Sequence, residues 1–469
     1  MSDPGFYSAR EATALLGISA ATLYAYVSRG MVRSEEIPGE RRARRYRAED
    51  IDRMRERRQL RNDPARAARE ALRWGEPVLE SGISLIEGGR LYYRGQLVTE
   101  LAGSASVEEV AGLIWRGSFG TPVDFDDPST TLAPSGWRKV MRALPEISAL
   151  ERAQMALPLA ELDDHEAFIL DRPSIERGGA RIVRTMLAVA AGADRMNGGV
   201  ARTLAAHWTS GRRQEIDLLS AALVLTCDHE LNVSAFTVRC VASAGSTPYA
   251  AVAAGLGALR GTRHGGQTER VARLVDEVER CGSARTVIAA HRRQGDEIPG
   301  FNHPLYPSGD PRGAMLLELA AAVRGTTRAL RPVHDLVREM QRSGSHPTLD
   351  IGLVALARAL RLGADAPIVL FALGRAIGWI GHAIEQYPSG QLIRPRARYA
   401  PMTPDDNRVA TAGRDFSAPR DGSDQPVSSS SRPESRESNE KPRFLCGIGV
   451  HCGRCRTRTC DLFDVNEAR

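Results

Sequence analysis

The sequence predicts a mainly α-helical protein, in which a large helical body follows a small helix-turn-helix unit. Three observations favour this fold class. From residue 106 to residue 386 the chain is rich in Ala and Leu, and apolar residues recur every three or four positions between loops containing Gly and Pro. Only one segment of the body, residues 82–95, has the composition of a β-hairpin. At 469 residues the chain is long enough for two or three globular units.

Residues 1–62 are expected to form the helix-turn-helix unit. Ser8 and Glu11 have the spacing of a capping box that starts a short helix, and Gly17 begins the turn before a second helix, Ala20–Ser28. A basic loop and a charged helix follow, and residues 63–77 are predicted to be a helical linker. The arginines of the basic loop are Arg41, Arg42, Arg44, Arg45 and Arg47.

The body is predicted to occupy residues 78–400 and to begin with the hairpin. Within it, the apolar run 250–259 predicts a central buried helix. The tail, residues 401–469, is rich in Ser, Pro, Asp, Arg and Glu, and we expect it to be disordered. A cluster of tail cysteines allows a zinc site as one interpretation, but their irregular spacing favours a tail without function. These cysteines are Cys446, Cys452, Cys455 and Cys460.

Charge and cysteine content place few limits on function. With 63 basic and 57 acidic residues the formal net charge is +6, which does not indicate nucleic-acid binding by the chain as a whole. No basic and apolar leader follows Met1, and no uninterrupted apolar stretch approaches the roughly 20 residues that span a bilayer. The scattered cysteines of the body suit reduced thiols. We therefore expect a cytoplasmic protein with no membrane partner.

A set of polar residues in short Gly-, Pro- or polar-rich segments predicts the functional site. Each histidine alone is more often structural than catalytic, so the prediction depends on the whole set, which suits proton transfer beside a polyanion. Zinc is a second interpretation, but no ligand pair has helical spacing such as His-Glu-x-x-His, and we predict no metal site. The set comprises His229, His264, His303 and Asp350, with Arg312, Arg375 and Arg394.

Proton abstraction from a carbon beside a carbonyl group fits this set. The reaction needs a carboxylate base, a donor to the enolising oxygen and a donor to the carbonyl group that the carbon then attacks. Asp350, His264 and His303 can supply these three roles. Arginines would hold the carboxylates of an acidic substrate through bidentate hydrogen bonds.

The motifs around these residues resemble those of the citrate synthase family, in the same order, over about residues 80–399. The resemblance implies that Asp350 removes a methyl proton from acetyl-CoA while His264 donates to the thioester oxygen. It implies that His303 assists attack on the ketone of oxaloacetate. The residues that would bind oxaloacetate are His229, Arg312, Arg375 and Arg394 of the partner subunit. The motifs are CDHELNVS (227–234), GTRHGG (261–266), GFNHP (300–304), DPR (310–312), LD (349–350), RAIGW (375–379) and RPR (394–396).

The resemblance also implies an architecture. The family is a mostly α-helical homodimer with a shared active site, and a small domain, here roughly residues 268–370, closes over the large one. No cofactor is bound permanently, because acyl-CoA is a co-substrate, and water hydrolyses the thioester of citryl-CoA after condensation. The loop that would help to bind CoA consists of Gly300, Phe301 and Asn302.

Three residues depart from the family's usual pattern. Asn302 stands where glycine is usual, so its side chain would either tighten or block the approach of CoA. Gln267 follows the Gly-Gly pair where Ala-Asn is common, and Thr348 stands where Asn is usual. No catalytic group is lost. Propionyl-CoA, and hence 2-methylcitrate synthase activity, therefore stays open beside acetyl-CoA.

The first unit resembles the winged helix-turn-helix modules of the MerR and excisionase type. This resemblance implies that the second helix enters the major groove of DNA through Thr22, Tyr24 and Tyr26, while the arginines of the basic loop contact phosphates. The alternative is a solvated basic loop on a module that binds protein or assists assembly. If the module binds DNA, the alternative to an enzyme is a metabolite-sensing regulator in which the body serves as the effector domain.

Overall fold

The fold is mainly α-helical, as predicted. The computed structural model describes residues 5–36, 44–52, 54–55, 79–126, 143, 147–193, 196–323, 325–397 and 399. The predicted linker 63–77 and tail 401–469, with its four cysteines, lie outside the described residues, as do Arg41 and Arg42.

The N-terminal unit has the predicted helix-turn-helix, flanked by short strands. Ser8 and Glu11 form both hydrogen bonds of the capping box, and Gly17 ends the first helix with φ 57°. The elements are β1 (Phe6–Ser8), α1 (Ala9–Leu16), α2 (Ala20–Ser28), β2 (Ser34–Glu36) and β3 (Arg44–Arg47). The antiparallel sheet has the order β1-β3-β2, which makes β2 and β3 the wing. The unit's own core contains Ala12, Leu16, Leu23, Val32, Tyr46 and Ile51.

The body begins with the predicted hairpin. Ile86 pairs with Leu91, and the positive φ angles of Gly88 and Gly89 form the turn between the strands. A third strand, which the sequence did not predict, pairs with the second. The strands are β4 (Ser84–Glu87), β5 (Arg90–Tyr93) and β6 (Gln96–Leu97).

Helices form the rest of the described body. They are α3 (Val98–Ser104), α4 (Val107–Arg116), α5 (Ala149–Glu161), α6 (Arg172–Ala190), α7 (Val200–Trp208), α8 (Arg213–Thr226), α9 (Val233–Ser243), α10 (Pro248–Leu259), α11 (Gly266–Cys281), α12 (Ala284–Gln294), α13 (Pro311–Ala322), α14 (Thr327–Gln341), α15 (Leu349–Leu360) and α16 (Ala366–Gln386).

The central buried helix is α16, not the predicted α10. All but one residue of α16 is buried, whereas α10 buries one face and leaves its Ala- and Gly-rich face partly exposed. Glycines let α16 lie directly on the loop that follows α8: a Cβ on Gly378 would fall 2.1 Å from the carbonyl oxygen of Cys227. Residues 366–389 are long and apolar enough to cross a membrane, but the apolar window within this stretch is entirely buried inside the described protein.

A second, smaller hydrophobic core lies between α11, α12, α14 and α15. Its buried residues run from Val271 to Ala359, within the range predicted for the small domain. The larger core includes the hairpin and α16. Helices α13 and α15 contribute side chains to both cores, and the candidates Arg312 and Asp350 lie in their first turns.

Candidate active site

His229 lies in the loop that connects α8 with α9, and its ring contacts that of His303. The ring centroids are 5.0 Å apart with an edge-to-face geometry, and His229 Nε2 lies 3.0 Å from the hydroxyl of Tyr306. The side chain is buried. Burial, followed by the charge of Arg312, lowers the pKa of His229 well below its usual value. His229 is therefore a neutral hydrogen-bonding group at neutral pH.

His303 is held so that its Nε2 carries the proton. Its Nδ1 accepts a hydrogen bond of 3.2 Å from the backbone amide of Leu305. Burial and the nearby charge of Arg312 lower the pKa of His303 to about 4, so the ring is neutral at pH 7. A neutral ring whose Nδ1 accepts has its single proton on Nε2. His303 can thus donate one hydrogen bond to a substrate oxygen.

His264 lies in the turn between α10 and α11. Its Nε2 is 2.9 Å from the hydroxyl oxygen of Ser234, which also lies 2.7 Å from Oδ1 of Asn232. Burial and the charge of Arg375 lower the pKa of His264 to about 4. The ring therefore carries one proton, and the direction of the Ser234 hydroxyl decides which nitrogen holds it.

Asp350 lies in the first turn of α15, where the positive end of the helix favours a carboxylate. Thr268 donates to its Oδ1 at 2.6 Å and Thr348 to its Oδ2 at 3.2 Å. Burial raises the pKa of Asp350, and the two hydroxyl groups oppose that rise. A carboxylate with a raised pKa is a stronger base than an exposed one.

Two buried arginines make the site attractive to anions. Arg312 pairs with Asp310 through Nε at 2.9 Å and Nη2 at 2.8 Å, and its Nη1 makes no hydrogen bond with the described residues. Arg375 donates from Nε to the carbonyl of Thr226 at 2.8 Å, and no described carboxylate forms an ion pair with it. Burial lowers the pKa of Arg375. A substrate carboxylate could pair with Arg375 and also accept from the remaining Nη1 of Arg312.

Asp310 connects the helices that carry Arg312 and Asp350. As the N-cap of α13 it accepts from the amide of Arg312, and its Oδ2 also accepts from the amide of Leu349 at 3.1 Å. Burial alone would raise the pKa of Asp310, but Arg312 lowers it below its usual value. One carboxylate therefore fixes the N-termini of α13 and α15 relative to each other.

The loop predicted to bind CoA is tightly constrained. Gly300 has φ 84°, and a Cβ there would fall 2.6 Å from a methyl carbon of Val271. Phe301 forms an isolated bridge with Pro347. Asn302 adopts the left-handed conformation, with φ 59°, which asparagine tolerates better than most residues. Its side chain donates to Ser345 Oγ and accepts from the backbone amide of His346, so it tightens the loop.

Arg394 does not join the other candidates in the described chain. It is exposed, and it makes no hydrogen bond or ion pair with the described residues. The structure thus brings together His229, His264, His303, Asp350, Arg312 and Arg375 and leaves Arg394 at the surface.

A buried polar network supports the loop of His229 from behind. Asp228 accepts from Ser84 at 2.5 Å and from Nε2 of His382 at 3.1 Å, although Nδ1 of that histidine has no hydrogen-bond partner among the described residues. Tyr93 accepts the backbone amide of Asp228 at 3.0 Å. The network connects β4, β5 and α16 to the candidate site.

Sequence reasoning missed the residues that position the candidates. Asp228 and Asp310 stand beside predicted site residues, and that adjacency was the available signal. Ser234 ends the motif CDHELNVS, but its partner His264 is 30 residues away. Nothing local indicates that Thr268 or Tyr306 would reach the site, because their partners are 82 and 77 residues away along the chain.

The N-terminal module has an exposed aromatic residue on α2, and ion pairs partly neutralise the positive charge of its wing. Tyr24 on α2 is 54 % exposed, Thr22 is partly exposed, and Tyr26 packs against the unit's core. Arg45 and Arg47 both form ion pairs with Glu35, at 3.2 and 2.9 Å. Both guanidinium groups also lie over the ring of Phe6. Arg44 is exposed.

Among the residues that the structure describes, no group of three or more His, Cys, Asp or Glu side chains is arranged to hold a metal ion.

Known proteins match both parts of the chain. The family model for the citrate synthase C-terminal domain matches residues 71–396, and that for MerR HTH family regulatory proteins matches residues 7–64. Citrate synthase 2 of Bacillus subtilis is 27 % identical over 351 residues, covering 69 % of this chain and 94 % of that protein. The 2-methylcitrate synthase of Shewanella oneidensis is 28 % identical over 359 residues, covering 70 % and 94 %.

A solved structure matches the same region. Citrate synthase from Thermotoga maritima MSB8 has a TM-score of 0.60 at 25 % identity, covering 70 % of this chain and 95 % of that one. The matching family model spans more than half of the chain and includes the candidate residues described above. The chain therefore belongs to the citrate synthase family, and a MerR-type helix-turn-helix module precedes its synthase body.

Proposed function

We propose that this protein condenses acetyl-CoA with oxaloacetate and water to give citrate and CoA. One observation carries the proposal: a carboxylate base and two neutral imidazoles are grouped with two buried arginines in one site. Citrate synthase family membership supports a synthase-type condensing enzyme.

The first step is removal of a methyl proton from the thioester. Asp350 takes the proton, and the electron pair moves onto the thioester oxygen, where His264 stabilises it by donating from Nδ1. For Nδ1 to carry the proton, Nε2 must accept from Ser234, whose hydroxyl lies 2.9 Å away. Ser234 would thus donate to His264 during turnover instead of to Asn232.

The second step is attack of the enol carbon on the ketone of oxaloacetate. His303 polarises the ketone from Nε2, the nitrogen left with the proton because Nδ1 accepts from Leu305. Arg312 and Arg375 hold the substrate carboxylates, and His229 donates or accepts beside them. Water then hydrolyses the thioester of the condensed intermediate and releases CoA.

Closure of the small domain, roughly residues 268–370, would exclude water during condensation. The loop of Gly300, Phe301 and Asn302 would bind CoA at the entrance, and its backbone constraints support that role.

The site would be completed in a homodimer. Arg394 is exposed and contacts none of the other candidates in its own chain, which suits a residue that serves the partner subunit. The Ala- and Gly-rich face of α10 is partly exposed and offers an apolar surface for a second copy.

Propionyl-CoA is the alternative acyl donor, giving 2-methylcitrate. The relatives include citrate synthases and 2-methylcitrate synthases at similar identity, which keeps propionyl-CoA beside acetyl-CoA as a candidate substrate. The same base and donors serve either reaction, since the propionyl group also has an acidic carbon beside the thioester.

Thiol release from acetyl-CoA and propionyl-CoA, each with oxaloacetate, tests the enzyme proposal. We expect activity that Asp350→Ala abolishes and that Asp217→Ala, a change at an exposed aspartate of α8, leaves intact. If the wild-type protein releases CoA from neither substrate, the enzyme proposal is wrong.

We also propose that the N-terminal module binds DNA, so that the body serves as effector domain of a metabolite-sensing regulator or the protein has both activities. The match to the MerR family and the exposed Tyr24 and Arg44 favour DNA. Binding to the DNA upstream of its own coding sequence should be salt-sensitive and lost when Arg44 and Arg45 become Ala. Unchanged binding in that double variant would reject the wing as the phosphate-contacting element.

A further inference from the structure

The two oxygens of the Asp350 carboxylate each receive one threonine hydroxyl, and the two bonds differ in length. Thr268 Oγ1 lies 2.6 Å from Oδ1, within the range of a strong bond to a charged acceptor, whereas Thr348 Oγ1 lies 3.2 Å from Oδ2. Both threonines are buried. The base is therefore held firmly at one oxygen and weakly at the other.

We propose that Thr268 and Thr348 are positioning residues for Asp350, with Thr268 fixing its orientation and Thr348 holding Oδ2 until the acyl group displaces that weaker bond. Oδ2 then receives the proton from the carbon beside the thioester, and the electron pair moves to the thioester oxygen. This inference rests on the proposed condensation, because it assigns the atom of the base that reacts.

The hydroxyl of Thr348 does not cap the helix that it precedes. Thr348 is the N-cap of α15, where a threonine normally accepts from a backbone amide in the first turn, yet its side chain makes no such bond. Asp310, the N-cap of another helix, accepts the amide of Leu349, the first residue of α15. The hydroxyl of Thr348 instead donates to Oδ2 of Asp350, the second residue of the helix.

The position of Thr268 explains why its bond is the fixed one. It lies in the first turn of α11, four residues after His264, and it is 1 % exposed. The same short segment thus carries the donor to the thioester oxygen and the donor that orients the base. A change in the angle of α11 would move both groups together, which keeps the base aligned with the bond that it breaks.

The two bonds also limit how far burial raises the pKa of Asp350, because each hydroxyl stabilises the charged form. Replacing either threonine by valine keeps the shape and removes the donor. Losing one hydrogen bond to a charged group should raise the pKa of Asp350 by roughly one unit. The acid limb of kcat/KM should move to higher pH by the same amount.

The test measures thiol release between pH 5 and pH 9 for the wild type, Thr268→Val, Thr348→Val and the two serine variants. We expect the acid limb to move up by roughly one unit in both valine variants. Plateau kcat should fall about tenfold or more in Thr268→Val, because the orientation of the base is lost, and only about two- to threefold in Thr348→Val. Serine should restore the acid limb at either position. Thr286→Val, at an exposed threonine of α12, is the matched control.

Two results would overturn the inference: acid limbs that stay in place in both valine variants, or equal losses of plateau kcat in the two. A direct titration of Asp350 by carbon-13 NMR of the carboxyl group, assigned with Asp350→Asn, does not depend on turnover. If the wild type releases no CoA from any acyl donor, the proposed condensation fails. The NMR titration then still shows whether the two hydroxyl groups hold the pKa of Asp350 down.

Discussion

His264 and Ser234 are joined side chain to side chain, with Nε2 and Oγ 2.9 Å apart, although 30 residues separate them in the chain. The serine has a second possible acceptor, Asn232 Oδ1, at 2.7 Å. Asn232 already accepts two backbone amides as the N-cap of α9. The hydroxyl can therefore turn to His264 without leaving the asparagine oxygen unsatisfied.

Removing this hydroxyl should impair catalysis more than substrate binding. In Ser234→Ala no side chain holds the proton of His264 on Nδ1, so we expect kcat to fall roughly 10- to 100-fold while KM for oxaloacetate changes little. Steady-state kinetics of thiol release measure both. Ser210→Ala, at an exposed serine before α8, is the control. A rise in KM with kcat unchanged would contradict the assignment.

The buried histidines should make the protein sensitive to acid. The pKa values of His264 and His303 are about 4, and that of His229 lies well below its usual value, so all three bind protons more weakly folded than unfolded. Above the unfolded pKa of roughly 6.5 the three histidines are neutral in both states and do not oppose folding. As the pH falls from roughly 6.5 towards 4, the unfolded chain takes up more protons than the folded protein, so the free energy of unfolding decreases.

Urea unfolding followed by circular dichroism at pH 7, 6 and 5 measures this loss. Replacing His303 by Gln, which cannot be protonated, should reduce the dependence on pH. An equally steep dependence in His303→Gln would show that this residue is not a source of the acid sensitivity.

The pair of His382 and Asp228 should matter for oxaloacetate binding. His382→Leu removes a donor from a buried carboxylate that adjoins His229, so we expect KM for oxaloacetate to rise about tenfold and kcat to change less. His382→Gln, whose amide can still donate, should recover most of the affinity. His165→Leu, at an exposed histidine, controls for the loss of an imidazole elsewhere. Equal KM values in the Leu and Gln variants would refute the pairing role.

Glu35 should weaken DNA binding by the wing. It pairs with Arg45 and Arg47, so each guanidinium group must share its charge between the carboxylate and any phosphate. Glu35→Gln should tighten binding several-fold at low salt. The neighbouring exposed Glu36 forms no ion pair with the described residues, and Glu36→Gln is expected to have a smaller effect. Fluorescence anisotropy at two salt concentrations measures the affinity of each variant for DNA. Equal affinity changes in the Glu35 and Glu36 variants would contradict the role of the ion pairs.

Local patterns predicted much of the fold. The capping box of Ser8 and Glu11, the Gly88-Gly89 turn and the helical spacing of the body all depend on residues that are close in sequence, and all are present. The prediction that α10 is the central buried helix was wrong. Its apolar composition does not reveal whether both faces of the helix are covered by other parts of the same chain.

For the site, the motifs identified the residues that the structure groups together, but not the atoms that act. The tautomer of His303 depends on the amide of Leu305, and the orientation of Asp350 depends on Thr268, which is 82 residues away. Such contacts follow from tertiary packing. Arg394 is exposed in a single chain, so its predicted role across a subunit boundary stays a prediction.

The close contact between α16 and the Cys227 loop restricts how this enzyme can be altered. A Cβ at Gly378 would overlap the carbonyl of Cys227, and one at Gly374 would fall 2.0 Å from Oγ1 of Thr226. Even alanine at either position would displace Arg375 and the loop of His229 at once. A mutagenesis library that seeks new acyl donors should therefore keep both glycines fixed and diversify the loops instead, since those contacts leave no space for any side chain.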